Sequence, residues 1–265
     1  MAVDYEIEGR VAIVTGASAG MGKASALALA SQGVNLIMIA RTPERLQTAK
    51  EEIISRTNVE VIAIQGDVTD RDLPAKAVEF AMNKWQRVDI LINNAGGPAM
   101  GTFLEHDDSA WESALDQNLK SVIRFTRAAV PHMIKHKWGR VINISSTLAK
   151  EPEPIMVLSA TARAGVSAFA KAISIELAAQ GITVNTLCPG GVLTDRLHSL
   201  FQAAAQRQET SIEDIIRQSE ASIPIGRFAS PDEFSDALLF LASKRSCYIT
   251  GTSIMIDGGL TRNIF

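Results

Sequence analysis

The chain is 265 residues long, enough for one large α/β domain or two small ones with a sizeable core, which excludes a disulfide-stapled miniprotein. Hydrophobic residues make up 46% and charged residues 21%, as in ordinary globular proteins, and 26 Lys+Arg against 29 Asp+Glu leave a net charge of −3. With that balance and no block of consecutive basic residues, neither nucleic acid nor an anionic membrane surface is expected as a partner.

Short β-branched runs alternate with helix-period segments along the whole chain. Strand Val11–Thr15 precedes helix Lys23–Gln32, strand Val34–Ala40 precedes helix Glu44–Arg56, and strand Glu60–Gln65 precedes helix Leu73–Trp85. Strand Asp89–Asn93 leads to a long helix Ser109–Lys137, and strand Arg140–Ser145 to helix Ser159–Gln180. Strand Thr183–Leu187, helix Pro231–Ser243 and strand Ser253–Asp257 complete the series. Pro43 and Pro231 suit first helical turns, and Gly33 and Gly181 suit positions just past helix ends.

Strands such as Asn35-Leu36-Ile37-Met38-Ile39-Ala40 are continuously apolar, which burial on both faces by flanking helices requires. The expected fold is a single α/β domain over residues 1–265, a doubly wound parallel sheet of seven strands. No repeat or linker divides it. Residues 190–227 break the rhythm and carry spaced apolar residues, among them Leu197, Leu200, Phe201 and Ile215, which predicts a small helical lid over a substrate.

The opening Met1-Ala2-Val3-Asp4-Tyr5-Glu6 is acidic where a signal peptide needs a basic end, and no segment reaches the ~18 apolar residues of a membrane span. Cys188 and Cys247 form no C-x-x-C pair, so no zinc ribbon or redox motif is expected, and a cytoplasmic location fits.

Thr15-Gly16-Ala17-Ser18-Ala19-Gly20-Met21-Gly22-Lys23 joins the first strand to an Ala-rich helix. Glycines let the backbone turn sharply and approach a ligand, and the helix start offers free N–H groups to a diphosphate, so a dinucleotide site is expected. Gly16 to Gly20 also matches the G-x-S-x-G elbow of hydrolases, but the last histidine is His198 and no later acid–histidine pair completes a triad. Gly22-Lys23 resembles a phosphate loop, yet Ala24 has no hydroxyl for Mg²⁺. A tight turn without a ligand is the plain structural alternative.

The Thr-Gly-x-x-x-Gly-x-Gly arrangement resembles that of the short-chain dehydrogenase/reductase family, in particular its 3-oxoacyl-acyl-carrier-protein-reductase-like subgroup. Asp67-Val68, Asn93-Asn94-Ala95-Gly96, Asn118, Asn143-Ile144-Ser145-Ser146, Pro189-Gly190 with Thr194, and Asp257-Gly258-Gly259 follow in family order. The resemblance implies a Rossmann-type sheet, a nicotinamide cofactor and assembly as a homo-oligomer, dimer or tetramer. It also implies that Gly16, Ser18, Ala19, Gly20, Met21 and Gly22 meet the diphosphate, that Asp67 and Val68 meet the adenine, and that Asn94, Ala95 and Gly96 line the cleft. Pro189, Gly190 and Thr194 would hold the nicotinamide side. Each has a plainer alternative: Asn93 and Asn94 as ties between strands, Asp67 as the cap of its own turn. Where an NAD site ends its second strand with an acid, Ala40 stands, followed by Arg41, so NADP is favoured and NAD remains open.

The family reduces carbonyls with a Tyr-x-x-x-Lys pair, and the alignment with Ala164-Gly165-Val166 puts Ser159 and Arg163 in those places. Ser146 matches the catalytic serine and Asn118 the helix asparagine. Arg163 can still bond ribose hydroxyls and bring positive charge, but a serine hydroxyl is too short and too weak an acid to replace a tyrosine directly. Water in the gap, Glu151, Glu153 or His106 are the candidate proton donors. His132 and His136 have i,i+4 metal-ligand spacing, but Lys135 and Lys137 beside them argue for helix-end charge, and no metal is expected. The expected activity is carbonyl–alcohol interconversion on a largely apolar small molecule with NADP(H). The alternatives are a non-redox lyase- or dehalogenase-like enzyme, or a catalytically weak cofactor-binding subunit or sensor.

Overall fold

A computed structural model describes residues 4–264; Met1 to Val3, part of the acidic opening, and Phe265 lie outside the described residues. The first half of the sheet comes from β1 (Val11–Thr15), β2 (Asn35–Ala40) and β3 (Val61–Gln65), joined by helices α1 (Gly20–Ala30) and α2 (Pro43–Arg56). Helix α3 (Leu73–Trp85) then carries the chain back to β4 (Ile90–Asn93). Beyond it lie α4 (Asp108–Leu115), a π-helical turn Asp116–Lys120, α5 (Ser121–Lys135), β5 (Gly139–Ile144), α6 (Val157–Leu177) and β6 (Ile182–Pro189). A helix pair α7 (Asp195–Gln208) and α8 (Ile212–Ser222) precedes α9 (Pro231–Ala242) and β7 (Ser253–Ile256).

All seven strands expected from the sequence pair in parallel, in the order β3-β2-β1-β4-β5-β6-β7. The order reverses between β1 and β4, and the crevice beyond the carboxyl ends of those two strands is where such sheets bind ligands. Alternation along the strands feeds two cores. Ala12, Val14, Leu36 and Met38 pack with Leu29, Leu46 and Phe234 on one face, whereas Val11, Ile13, Ile37 and Ile39 pack with Val78, Phe125 and Met133 on the other. A third cluster, Phe201, Ala205, Ile215, Ile223 and Phe228, ties α7 to α8, with the Phe201 and Phe228 rings 5.3 Å apart.

The helix ends follow local chemistry. Ser230 and Glu233 form a capping box at α9, and Thr194 and Ser211 cap α7 and α8 by accepting from the backbone N–H groups of Leu197 and Asp214. Two departures from the sequence reading concern function. Helix α1 starts at Gly20 rather than Lys23, because the glycine turn itself supplies its first turn. The continuous helix expected over Ser109–Lys137 is interrupted by the π turn, whose extra residue lets α4 pack on α6 while α5 packs on the sheet.

At the opposite, amino-terminal edge of the strands lies a fully buried carboxylate. Asp89 accepts from Arg10 Nη1 (2.9 Å) and Arg87 Nη2 (2.8 Å) through Oδ1, and from Val11 N (2.9 Å) and Arg87 Nε (2.7 Å) through Oδ2. The Arg10 and Arg140 guanidinium groups sit 4.0 and 4.4 Å from the Trp138 ring centroid and close this end of the sheet.

Candidate active site

The carboxyl ends of β1, β4, β5 and β6 open into a cleft of ≈ 370 Å³ that runs from the glycine turn past Gly96 and Ser146 to α7. Its floor is the turn after β1. Gly16 and Gly20 have φ of +59° and +53°, and a Cβ on Gly22 would stand 2.2 Å from the Gly16 carbonyl oxygen. Ala19 at the N-cap of α1 has no side chain able to cap it, so the first-turn N–H groups of an 11-residue helix are left for a ligand. Three glycines are thus demanded by backbone geometry, and Gly20 and Met21 line the cleft directly.

One lobe of the cleft is bounded by Ala40, Arg41, Arg45, Asp67, Val68 and Gly96. Asp67 is engaged twice: Oδ1 accepts from the Thr69 amide (2.9 Å) and hydroxyl (2.8 Å), and Oδ2 lies 3.8 Å from Arg41 Nη1. Its turn-capping role is therefore present alongside its place in the lobe. Arg45, in the first turn of α2, reaches across the cleft to pair with Asp195 at the start of α7.

The strand ends carry amides that hold the frame together. Asn93 Nδ2 donates to Asn143 Oδ1 (2.9 Å), and Asn94 takes the Thr15 hydroxyl on its N–H (2.8 Å) while its Nδ2 donates to the Gly16 carbonyl (3.2 Å). The strand-tying alternative for these residues is thus realised, and Asn94 also faces the cleft with Ala95 and Gly96. Pro189, Gly190 and Thr194 line its far wall.

Ser146 and Ser159 both line the cleft. Ser146 Oγ accepts from the Leu148 amide (3.2 Å), and Ser159 Oγ accepts from Arg163 Nε (3.1 Å), so each hydroxyl keeps its proton available for a third group. Arg163, one turn after Ser159 on α6, also donates through Nη1 to the Ile144 carbonyl (3.2 Å), which leaves Nη2. Burial pushes the Arg163 guanidinium down to about 10, with Cys188 opposing and Arg196 reinforcing that shift, so it remains a cation at neutral pH. The Cys188 thiol behind it is pushed up to about 11 by burial and stays protonated. Asn118 is buried in the π turn, its Nδ2 on the Ala114 carbonyl (3.3 Å), and borders a small polar cavity of ≈ 10 Å³ shared with Asn93 and Arg163.

The structure does not bring the three side-chain candidates for proton donor, Glu151, Glu153 and His106, together with this group. Glu151 Oε1 accepts from the amides of Arg262 and Asn263 (2.6 Å each) and from Asn263 Nδ2 (3.0 Å). Burial would raise its pKa, but those bonds prevail and lower it, which makes Glu151 a clamp on the carboxyl-terminal segment rather than an acid. Neither Glu151 nor Glu153 is among the cleft-lining residues, and His106 packs against Gly101 instead. No cluster of three or more metal-ligating side chains occurs among the described residues, and burial, Lys135 and His136 all lower the His132 pKa. Sequence reasoning missed Arg45, Gly97, Met156 and Arg196 in the cleft. Arg45 was legible as a second basic residue in the first turn of the helix that follows Arg41; the others depend on tertiary placement.

A family model described as short chain dehydrogenase matches residues 10–205. The chain belongs to the short-chain dehydrogenase family. Consistent with that membership, it is 35% identical over 257 residues to a 3-oxoacyl-acyl-carrier-protein reductase of Thermotoga maritima, covering 96% of this chain and 98% of the relative. Oxidoreductase UcpA of Escherichia coli is also 35% identical, over 97% of this chain and 96% of its own. Among solved short-chain dehydrogenase-like structures, YwfH, an NADPH-dependent reductase involved in bacilysin biosynthesis, superposes with a TM-score of 0.92 at 34% identity, covering 96% and 99% of the two chains. L-sorbose reductase from Gluconobacter frateurii, complexed with NADPH and L-sorbose, gives a TM-score of 0.94 at 28% identity over 99% and 100%. Among the described residues no helix is long and apolar enough to cross a membrane.

Proposed function

We propose that this short-chain dehydrogenase is an NADP(H)-dependent oxidoreductase that interconverts a carbonyl and an alcohol, with Ser159 and Arg163 in the places where the family carries its Tyr and Lys. The observation that carries the reading is the glycine floor: the Gly22 position admits no Cβ, and the uncapped start of α1 presents N–H groups to the cleft that leads to Ser146 and Arg163. The NADPH dependence of YwfH and the NADPH bound in the L-sorbose reductase structure support this choice of dinucleotide, and Arg41 and Arg45 in the lobe beside Ala40 give a 2′-phosphate two cations.

When bound, the dinucleotide would supply the hydride. Gly16, Ser18, Ala19, Gly20, Met21 and Gly22 would receive its diphosphate, Asp67 and Val68 its adenine end, and Asn94, Ala95, Gly96, Pro189, Gly190 and Thr194 its nicotinamide half. Ser146 donates a hydrogen bond from its hydroxyl to the substrate oxygen. Arg163 holds a positive charge beside that oxygen as negative charge develops on it, and Ser159, held by Arg163 Nε, orients the water that delivers the proton. Asn118 and the small polar cavity beside Arg163 place a water site behind the guanidinium. Helices α7 and α8, within residues 190–227, cover the substrate. The protein works in the cytoplasm as a dimer or tetramer, to be read by light scattering.

The test is direct. A carbonyl panel with NADPH, followed by nicotinamide absorbance and product analysis, is expected to show consumption of NADPH matched to alcohol formed. Product without an absorbance change would replace this reading with a non-redox one, and tight NADPH binding without any product would leave a sensor. The double substitution Ser159→Tyr with Arg163→Lys is expected to raise carbonyl reduction; an unchanged or lower rate would show that the native pair has chemistry of its own.

A further inference from the structure

Two guanidinium groups meet at one point of the cleft. A Cβ built on Gly97 would stand 3.3 Å from Arg196 Nη2, 3.6 Å from Arg196 Nε and 3.8 Å from Arg163 Nη2. These cations come from different elements, Arg163 from the second turn of α6 and Arg196 from the first turn of α7, so the fold itself brings them together. Like charges that approach this closely repel, and Arg196 does act on Arg163 as a destabilising cation.

No carboxylate among the described residues pairs with either arginine to offset that repulsion. Among the described residues neither arginine forms an ion pair; Arg163 bonds to a hydroxyl and a backbone carbonyl, and Arg196 Nη2 to the Pro98 carbonyl at 2.6 Å. Asp195, next to Arg196 in sequence, is turned away onto Arg45. Lys150 adds a further positive charge near Cys188. The Nη2 group of Arg163 has no acceptor among the described residues, and Arg196 uses one of its five N–H donors, so several charge-assisted bonds are open beside the Gly97 position.

We propose that Arg163 and Arg196 are a carboxylate-binding pair and that the substrate is an oxo acid, or the matching hydroxy acid, whose carboxylate bridges the two guanidinium groups beside Gly97. This assignment of substrate class rests on the reductase reading above. Guanidinium forks match the two oxygens of a planar carboxylate. Leu148, Met156 and Leu200 line the same cleft and receive an apolar remainder, so the substrate is amphipathic: charged at one end, hydrocarbon at the other. The phosphate-bearing adenine end of the dinucleotide does not account for the pair. Arg41 and Arg45 line the lobe with Asp67 and Val68, and neither Arg163 nor Arg196 reaches that lobe.

Calorimetric titration of the protein saturated with NADP⁺, where no reduction can occur, separates the possibilities. The probes are α-ketoisocaproate, its uncharged methyl ester and inorganic phosphate. The keto acid is expected to bind about tenfold or more tighter than the ester and than phosphate. Arg196→Gln is expected to remove that advantage and Arg196→Lys to return part of it, with NADP⁺ affinity changed less than about twofold. Equal binding of acid and ester, a preference for phosphate, or an Arg196→Gln protein that loses NADP⁺ as much as the keto acid would each overturn the proposal. Acid against ester in the unsubstituted protein decides the matter even if the variants do not fold. If NADP⁺ gives no heat at all, the reductase reading falls, and the same acid–ester comparison on the free protein still judges the carboxylate pair.

Discussion

The two ends of the sheet handle buried charge in opposite ways. At the amino-terminal edge, Asp89 has no exposed side-chain surface and receives four hydrogen bonds, three of them from arginines, so every lone pair facing the protein is used. At the carboxyl edge Arg163 is half-buried in the cleft wall with no carboxylate partner among the described residues, and Arg196 repeats the sign. A saturated buried charge belongs to the fold. An unsaturated one, held in place at a cost, marks where something else is meant to bind.

Four experiments test that contrast. The largest effect is expected from Asp89→Asn, which strands Arg10 and Arg87 and should cost about 3–5 kcal/mol in denaturant unfolding while leaving dinucleotide affinity of the surviving folded fraction unchanged. Arg163→Met is the reverse case: kcat should fall by roughly 100-fold, whereas the thermal midpoint should hold or rise, because a desolvated unpaired cation leaves. A falling midpoint would mean that Arg163 is a structural element like Asp89. Next, Arg41→Ala should weaken NADPH by about tenfold and NADH little, measured by fluorescence titration.

The smallest effect concerns a paired charge at the surface. Hydrogen bonds from Arg227, then the Ser230 amide, hold the Glu233 carboxyl down to about 2. Its folded pKa lies below the ordinary carboxylate value, so its stabilisation is present above that value and is lost as pH falls toward 2. Glu233→Gln should therefore melt earlier than the parent at pH 7, by a slight margin that closes in acid; a margin that persists in acid would remove the charge from the explanation.

The seven strands and most helix ends were legible because burial on both faces writes uninterrupted apolar runs and because Pro43, Pro231 and Gly181 mark turns by their backbone limits. The glycine floor was legible for the same reason, since Gly16, Gly20 and Gly22 answer to local geometry. Arg163 and Ser159 were found only by resemblance and spacing. Arg196 was invisible: in the sequence it is one of many surface arginines, and its meaning comes from α7 folding back over Gly97, some hundred residues away in the chain. Glu151 shows the converse, a carboxylate in a suggestive loop whose acceptor capacity is spent on Arg262 and Asn263.

The π turn at Asp116–Lys120 leaves the helical stretch between β4 and β5 one residue out of phase with itself. A regular α-helix with the same number of residues would rotate the stripe carrying Phe125, Ala129 and Met133 by about 100° away from the sheet while α4 stayed seated on α6. The wide turn takes up the extra residue within a single turn, so both seats are kept and Asn118 is held beside Arg163 by arithmetic as much as by chemistry.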